Sequence, residues 1–170
     1  MNTSANPLFQ QLEQTNKVNP YTVYALQELL EENTSDIYEI ERLCFSIVTN
    51  LFEDNPLLEL QNNDRQILWY DYLKLQIYIF FKGKGDYEEN HSLLTASSAI
   101  IIENLTDELF TRFGIEDKLI PLVVSLILCV AAKVSAEAWC SYFYDNTIRN
   151  NELLQNALKE MTNTNDSREV

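Results

Sequence analysis

A chain of 170 residues with 26 Asp and Glu against 12 Lys and Arg has too few cations to track a phosphate backbone, so nucleic acid is excluded as an expected ligand. With 46% apolar residues it also falls outside the low-hydrophobicity class of disordered chains, and its size suits one domain that folds without staples. A single histidine, His91, leaves little material for metal sites or for Ser-His-Asp and Cys-His catalysis.

Only three glycines occur, which favours helices joined by short loops over the turns and bulges of a sheet. Three of the four prolines follow asparagine, at Asn6-Pro7, Asn19-Pro20 and Asn55-Pro56. Asparagine caps helix N-termini and proline suits the first helical position, so each pair reads as a helix start. The expected elements begin with a short, loosely attached helix from Pro7 to Gln14, inside the first eighteen residues, and a second from Pro20 to Glu32 with Val23, Leu26 and Leu30 inward. A third, from Asp36 to Phe52, carries one apolar stripe at helical spacing: Ile37, Ile40, Cys44, Ile47, Val48 and Leu51.

A turn of helix over Pro56 to Gln61 precedes a fourth long element, capped by Asn63 and running from Asp64 to Phe81. Leu75, Ile77, Ile79 and Phe81 alternate as in a strand, but no other segment offers that strand a partner, so a deeply buried helix is expected. Lys82-Gly83-Lys84-Gly85-Asp86 reads as a loop. Without a preceding strand or the remaining pattern of a phosphate-binding loop, its glycines serve a helix-helix connection. A helix from Glu88 to Asn104 and a shorter one capped by Thr106 and ending at Gly114 follow. Glu88 and His91 have the spacing of half a di-iron motif, but such a site needs two histidines, and no metal or cofactor is expected.

The next helix is expected to run unbroken over about 119–143, apolar all round in its first half and therefore surrounded by the others. Its apolar part, Leu119 to Ala132, spans only ~21 Å against the ~30 Å of a bilayer core, so no membrane association is expected. Cys129 and Cys140 would lie ~16 Å apart on that helix, beyond disulfide reach, and Cys44 stands alone. A last helix, Asn151 to Met161, points Leu153, Leu154, Ala157, Leu158 and Met161 inward, and residues 162–170 form a disordered tail. The expected fold is all-α: one domain over residues 1–161, a bundle of six to eight helices around the buried one. Polar opening residues without a basic start or apolar run mark no secretory signal, and the expectation is a soluble, cytoplasmic protein.

The acid surplus is uneven. Residues 1–64 hold eleven acids and two bases, whereas the rest of the chain is nearly balanced. The densest part is Glu28, Glu31, Glu32, Asp36, Glu39 and Glu41, relieved by Arg42. This pattern points to a non-enzymatic interaction module, of inhibitor, immunity or adaptor type, that engages a basic protein surface through its N-terminal helices. A solvated face produces the same counts. Trp69 and Trp139 are expected in the core, while Tyr70 and Tyr144 are candidates for an aromatic interface that would make the protein a homo-oligomeric structural or regulatory domain. A small helical enzyme or ligand sensor would instead need carboxylates such as Glu103 or Glu137 converging on a pocket near the buried helix.

Overall fold

The two asparagine-proline pairs near the N-terminus each open a helix, and the capping chemistry explains why. In the computed structural model, which describes residues 6–32, 36–52, 69–83 and 119–166 together with Glu103 and Asp107, helix α1 spans Pro7–Gln14 and α2 spans Pro20–Glu31. The Asn6 side chain accepts from the Leu8 N–H at 3.1 Å and the Asn19 side chain from the Tyr21 N–H at 3.0 Å, each satisfying a donor that the first turn leaves unpaired. Asn16 closes α1 with φ of 56°, a left-handed position that asparagine tolerates. Asp36 caps α3, Ile37–Leu51, by accepting from the Tyr38 and Glu39 N–H groups at 3.0 and 3.4 Å.

Helix α4 spans Trp69–Gly83. The strand-like alternation is a by-product of burial on several sides: Leu73, Leu75 and Ile77 have no exposed surface and Phe81 has 1%. Lys82 and Gly83, expected in a loop, belong to its last turn. The expected elements over 56–61, 88–104 and 106–114, the Asn63 cap, the third asparagine-proline pair, His91 and Lys84 to Asp86 lie outside the described residues, although Glu103 and Asp107 are both helical.

The continuous helix expected over 119–143 is two helices. Helix α5, Ile120–Val134, is the buried one, with Val123, Val124, Leu126 and Val130 fully enclosed. At Ser135 the chain turns through 111° into α6, Ala136–Phe143. Ser135 holds φ 84° and ψ 147°, a region almost reserved for glycine and costing about 1–3 kcal/mol elsewhere. Its hydroxyl recovers part of that cost by accepting from the Ala138 N–H at 3.1 Å, which makes it the cap of α6. The bend falls among Lys133, Ser135 and Glu137, all exposed, where the apolar run of α5 gives way to the amphipathic α6, and no glycine or proline marks it. Cys44, Cys129 and Cys140 form no disulfide. The separation argued from an unbroken helix does not apply.

A π-helical turn, Tyr144–Ile148, follows α6, with the Arg149 N–H donating to the Tyr144 carbonyl at 2.8 Å. Helix α7 spans Glu152–Asp166, capped by Asn151, whose side chain accepts from Leu153 and Leu154 N–H groups at 3.1 and 3.2 Å. Leu154 enters the core and Ala157, Leu158 and Met161 pack beside it. The helix continues beyond Met161, where a tail was expected, because an established helix propagates at small cost per residue without burial. The Thr162 hydroxyl donates there to the Leu158 carbonyl at 2.9 Å.

Helix α2 packs on α3, α1 bridges α2 and α5, α3 lies against α5, and α4 is held by α6 and α7. The described residues thus form one all-α bundle of seven α-helices and a π turn, with Trp69 and Trp139 in its core at 1% and 0% exposure. No single helix among them is long and apolar enough to cross a membrane.

Candidate functional site

The α2–α3 pair carries the densest part of the acid surplus, and its helical geometry decides where each charge points. With Val23 and Leu26 buried, the line Tyr21, Tyr24, Glu28 and Glu31 recurs at three- and four-residue spacing on the opposite side of α2. Tyr21 is 83% exposed and Tyr24 60%. Interaction with the Glu28 carboxylate pushes the Tyr24 phenol up, and the negative charge of Glu31 adds to it. Glu28, Glu31, Glu32 and Asp36 are all exposed. Glu39 is half-buried and forms a bidentate pair with Arg42, whose guanidinium Nε donates to Oε2 at 2.8 Å. That contact holds Glu39 below the ordinary carboxylate range and raises Arg42. Arg42 is the one basic residue between positions 18 and 64, and it is already partnered.

Glu41 departs from the expected acidic face. It stands four residues after Ile37 and three before Cys44, on the border of the buried stripe, and its side chain is only 10% exposed. Trp139 Nε1–H donates to Glu41 Oε1 at 3.0 Å, and Lys74 Nζ lies 3.4 Å from Oε2. Lys74 is the buried charged residue of α4, 3.7 Å from Asp71, with its ammonium over the rings of Tyr70 and Phe143 at 4.6 and 5.1 Å. Helices α3, α4 and α6 are therefore joined by a charged cluster in which each group has a partner, as a low-dielectric interior demands. Burial pushes the Asp71 carboxyl up, and Lys74 opposes that rise.

Tyr70 also departs from expectation. It is 1% exposed, packed against Phe45 and Trp69 at ring distances of 6.2 and 6.3 Å, so it offers no surface for an interface. The reason is its register one turn before Lys74, under α3. Its hydroxyl is enclosed without a hydrogen-bond partner among the described residues, and burial, then the charge of Glu41, raises its pKa far above the usual phenol. Tyr144 remains 38% exposed, stacked on Tyr78 with ring centroids 6.4 Å apart. Glu103 and Glu137, the carboxylates a catalytic pocket would have used, are both exposed.

Above the charged cluster lies a cleft of about 260 Å³, open to solvent. Tyr38, Glu41, Arg42 and Phe45 of α3 line it, with Lys74 below, Tyr142 of α6 across, and Thr147 of the π turn at one end. The rings of Tyr38 and Tyr142 stand at 87° with centroids 6.1 Å apart, two walls of a corner. Tyr38 is 63% exposed and Phe45 47%, high values for large apolar rings. Partial burial raises the Tyr142 phenol, and the negative charges of Glu41 and Asp36 raise it further.

Sequence reasoning passed over this cleft. Tyr38 and Phe45 fall seven residues apart, off the apolar stripe of α3, which was a legible sign of exposed aromatics. Tyr142 belongs to the aromatic run from Trp139 to Tyr144, which suggested a groove or interface without placing it, and Thr147 carried no sign, because only the bend at Ser135 and the π turn bring them to α3.

No cluster of three or more His, Cys, Asp or Glu able to hold a metal ion occurs among the described residues. No protein-family model, curated protein or solved structure matches the chain. Fold and site define an all-α bundle with an acidic helix pair beside a small aromatic cleft.

Proposed function

We propose that this protein is a non-enzymatic interaction module whose acidic α2–α3 pair docks a basic protein surface. The observation that carries this reading is that Glu28, Glu31, Glu32 and Asp36 are exposed around the α2–α3 junction while Arg42, the nearest base, is occupied by Glu39. A field of one sign, uncompensated locally, steers a partner of the opposite sign and repels the wrong ones. The exposed Tyr21 and Tyr24 on the same line add residues of the type that dominate interface energetics.

The test is capture from native lysate at low salt by the wild-type protein and by the variant Glu28→Lys, Glu31→Lys, Glu32→Lys, Glu39→Lys. A protein retained by the wild type, released as salt rises and lost by the correctly folded variant supports the reading. Equal retention by both sinks it.

A further inference from the structure

We propose that the cleft between Tyr38, Phe45 and Tyr142 is the anchor pocket of this docking surface and takes an arginine side chain of the basic partner. The inference rests on the acidic docking reading and specifies which partner group enters where. Two observations favour a guanidinium, and a third marks the cleft as a site. The walls are aromatic: Tyr38 and Tyr142 form a right-angled corner, and Phe45 adds a third exposed ring. A planar, weakly hydrated cation stacks on such rings and loses less hydration than an ammonium would.

The lining itself holds one carboxylate, Glu41, against two bases, Arg42 and Lys74, and the local charge turns negative with the acids paired to those bases and Asp36 included. Asp36, Glu39, Glu41 and Asp71 stand against Arg42 and Lys74, and both bases are already committed, Arg42 to Glu39 and Lys74 to Glu41 and Asp71. An incoming anion would have to displace one of those pairs. An incoming cation need not, because each Glu41 oxygen accepts one bond here and a carboxylate oxygen has room for a second. Burial first raises the Tyr142 phenol, and the further push from the charges of Glu41 and Asp36 agrees with that sign.

The third observation is the wall opposite α3, which ends in the π turn that brings Thr147 to the cleft. Single π turns occur frequently at functional sites.

The probe is a glycine-arginine repeat peptide, titrated at low salt and followed by the ring resonances of Tyr38 and Tyr142 and by the Trp139 indole N–H, which reports on Glu41 at the cleft floor. These three signals should shift together and saturate. Tyr142→Ala and Tyr38→Ala should each weaken binding about fivefold or more. Arg42→Ala should tighten it, since a cation leaves the mouth. The same peptide with citrulline in place of arginine, equal in shape but neutral, should not bind.

Shifts confined to the backbone around Glu28 and Glu31, with both tyrosine variants binding as wild type, overturn the pocket and leave the acidic docking surface standing. Equal binding of the citrulline peptide overturns the cation. An arginine peptide that produces no saturable shift anywhere overturns pocket and docking surface together. Tyr38 is largely exposed, so its variant keeps the test independent of folding.

Discussion

Glu28 and Glu41 are the same residue type on two packed helices, yet one faces water beside an exposed tyrosine and the other is locked beneath a cleft by Trp139 and Lys74. The first adds to a field that a partner can feel. The second offsets a buried ammonium inside the molecule and keeps only the spare lone pairs of its oxygens for an incoming cation. A count of acids weights them equally, so the surface is less acidic at α3 than the total suggests and the interior holds part of the surplus.

The largest test of that contrast is removal of each carboxylate. Glu41→Ala leaves the Lys74 ammonium with Asp71 alone and the Trp139 N–H unpaired. A loss of about 3 kcal/mol is expected, seen as a lower urea midpoint, because breaking a buried pair strands the other charge. Glu28→Ala should change the midpoint by less than about 0.5 kcal/mol.

Next in size is the bend that delivers Trp139 to Glu41. Ser135→Gly should stabilise the fold by about 1 kcal/mol, since glycine removes the backbone strain and loses only a few tenths of the cap. Ser135→Ala keeps the strain and loses the cap, costing about 1 kcal/mol. The order glycine, serine, alanine in thermal midpoint checks the local geometry, and any other order contradicts it.

Asp71 gives a smaller effect whose size depends on pH. Burial holds its folded pKa above the unfolded value, so the folded state binds this proton more tightly. The stability it contributes is fully present below the unfolded pKa and is lost as pH rises through the folded one. Wild type should therefore lose stability relative to Asp71→Asn as pH rises across the carboxylate range. Urea midpoints measured from acid to neutral pH decide it, and a relative gain would show that Lys74 outweighs burial.

The smallest stability effect belongs to the exposed side. Glu28→Lys with Glu31→Lys should shift the midpoint by less than about 0.5 kcal/mol, and salt should erase the shift, because exposed charges are screened beyond ~8–10 Å.

Much of the helix framework was legible before the fold. Both described asparagine-proline pairs cap helices where expected, the α3 stripe faces the core, and both tryptophans are buried, because capping and amphipathicity are local properties. The misreadings were tertiary. An unbroken 119–143 helix failed at Ser135, since a serine in a glycine-type conformation leaves no mark in the local sequence pattern. Glu41 was counted with the acidic run and Tyr70 was offered as an interface aromatic, and only the meeting of α3, α4 and α6 encloses them.

By itself, the sequence determined an all-α chain whose acids concentrate before residue 65, since helix signals and charge positions are written in neighbouring residues. Tertiary structure alone decided which acids remain available and where an aromatic cleft opens. Lys74, Trp139 and Tyr142 reach Glu41 and Tyr38 from distant parts of the chain, and burial and pairing are properties of that meeting.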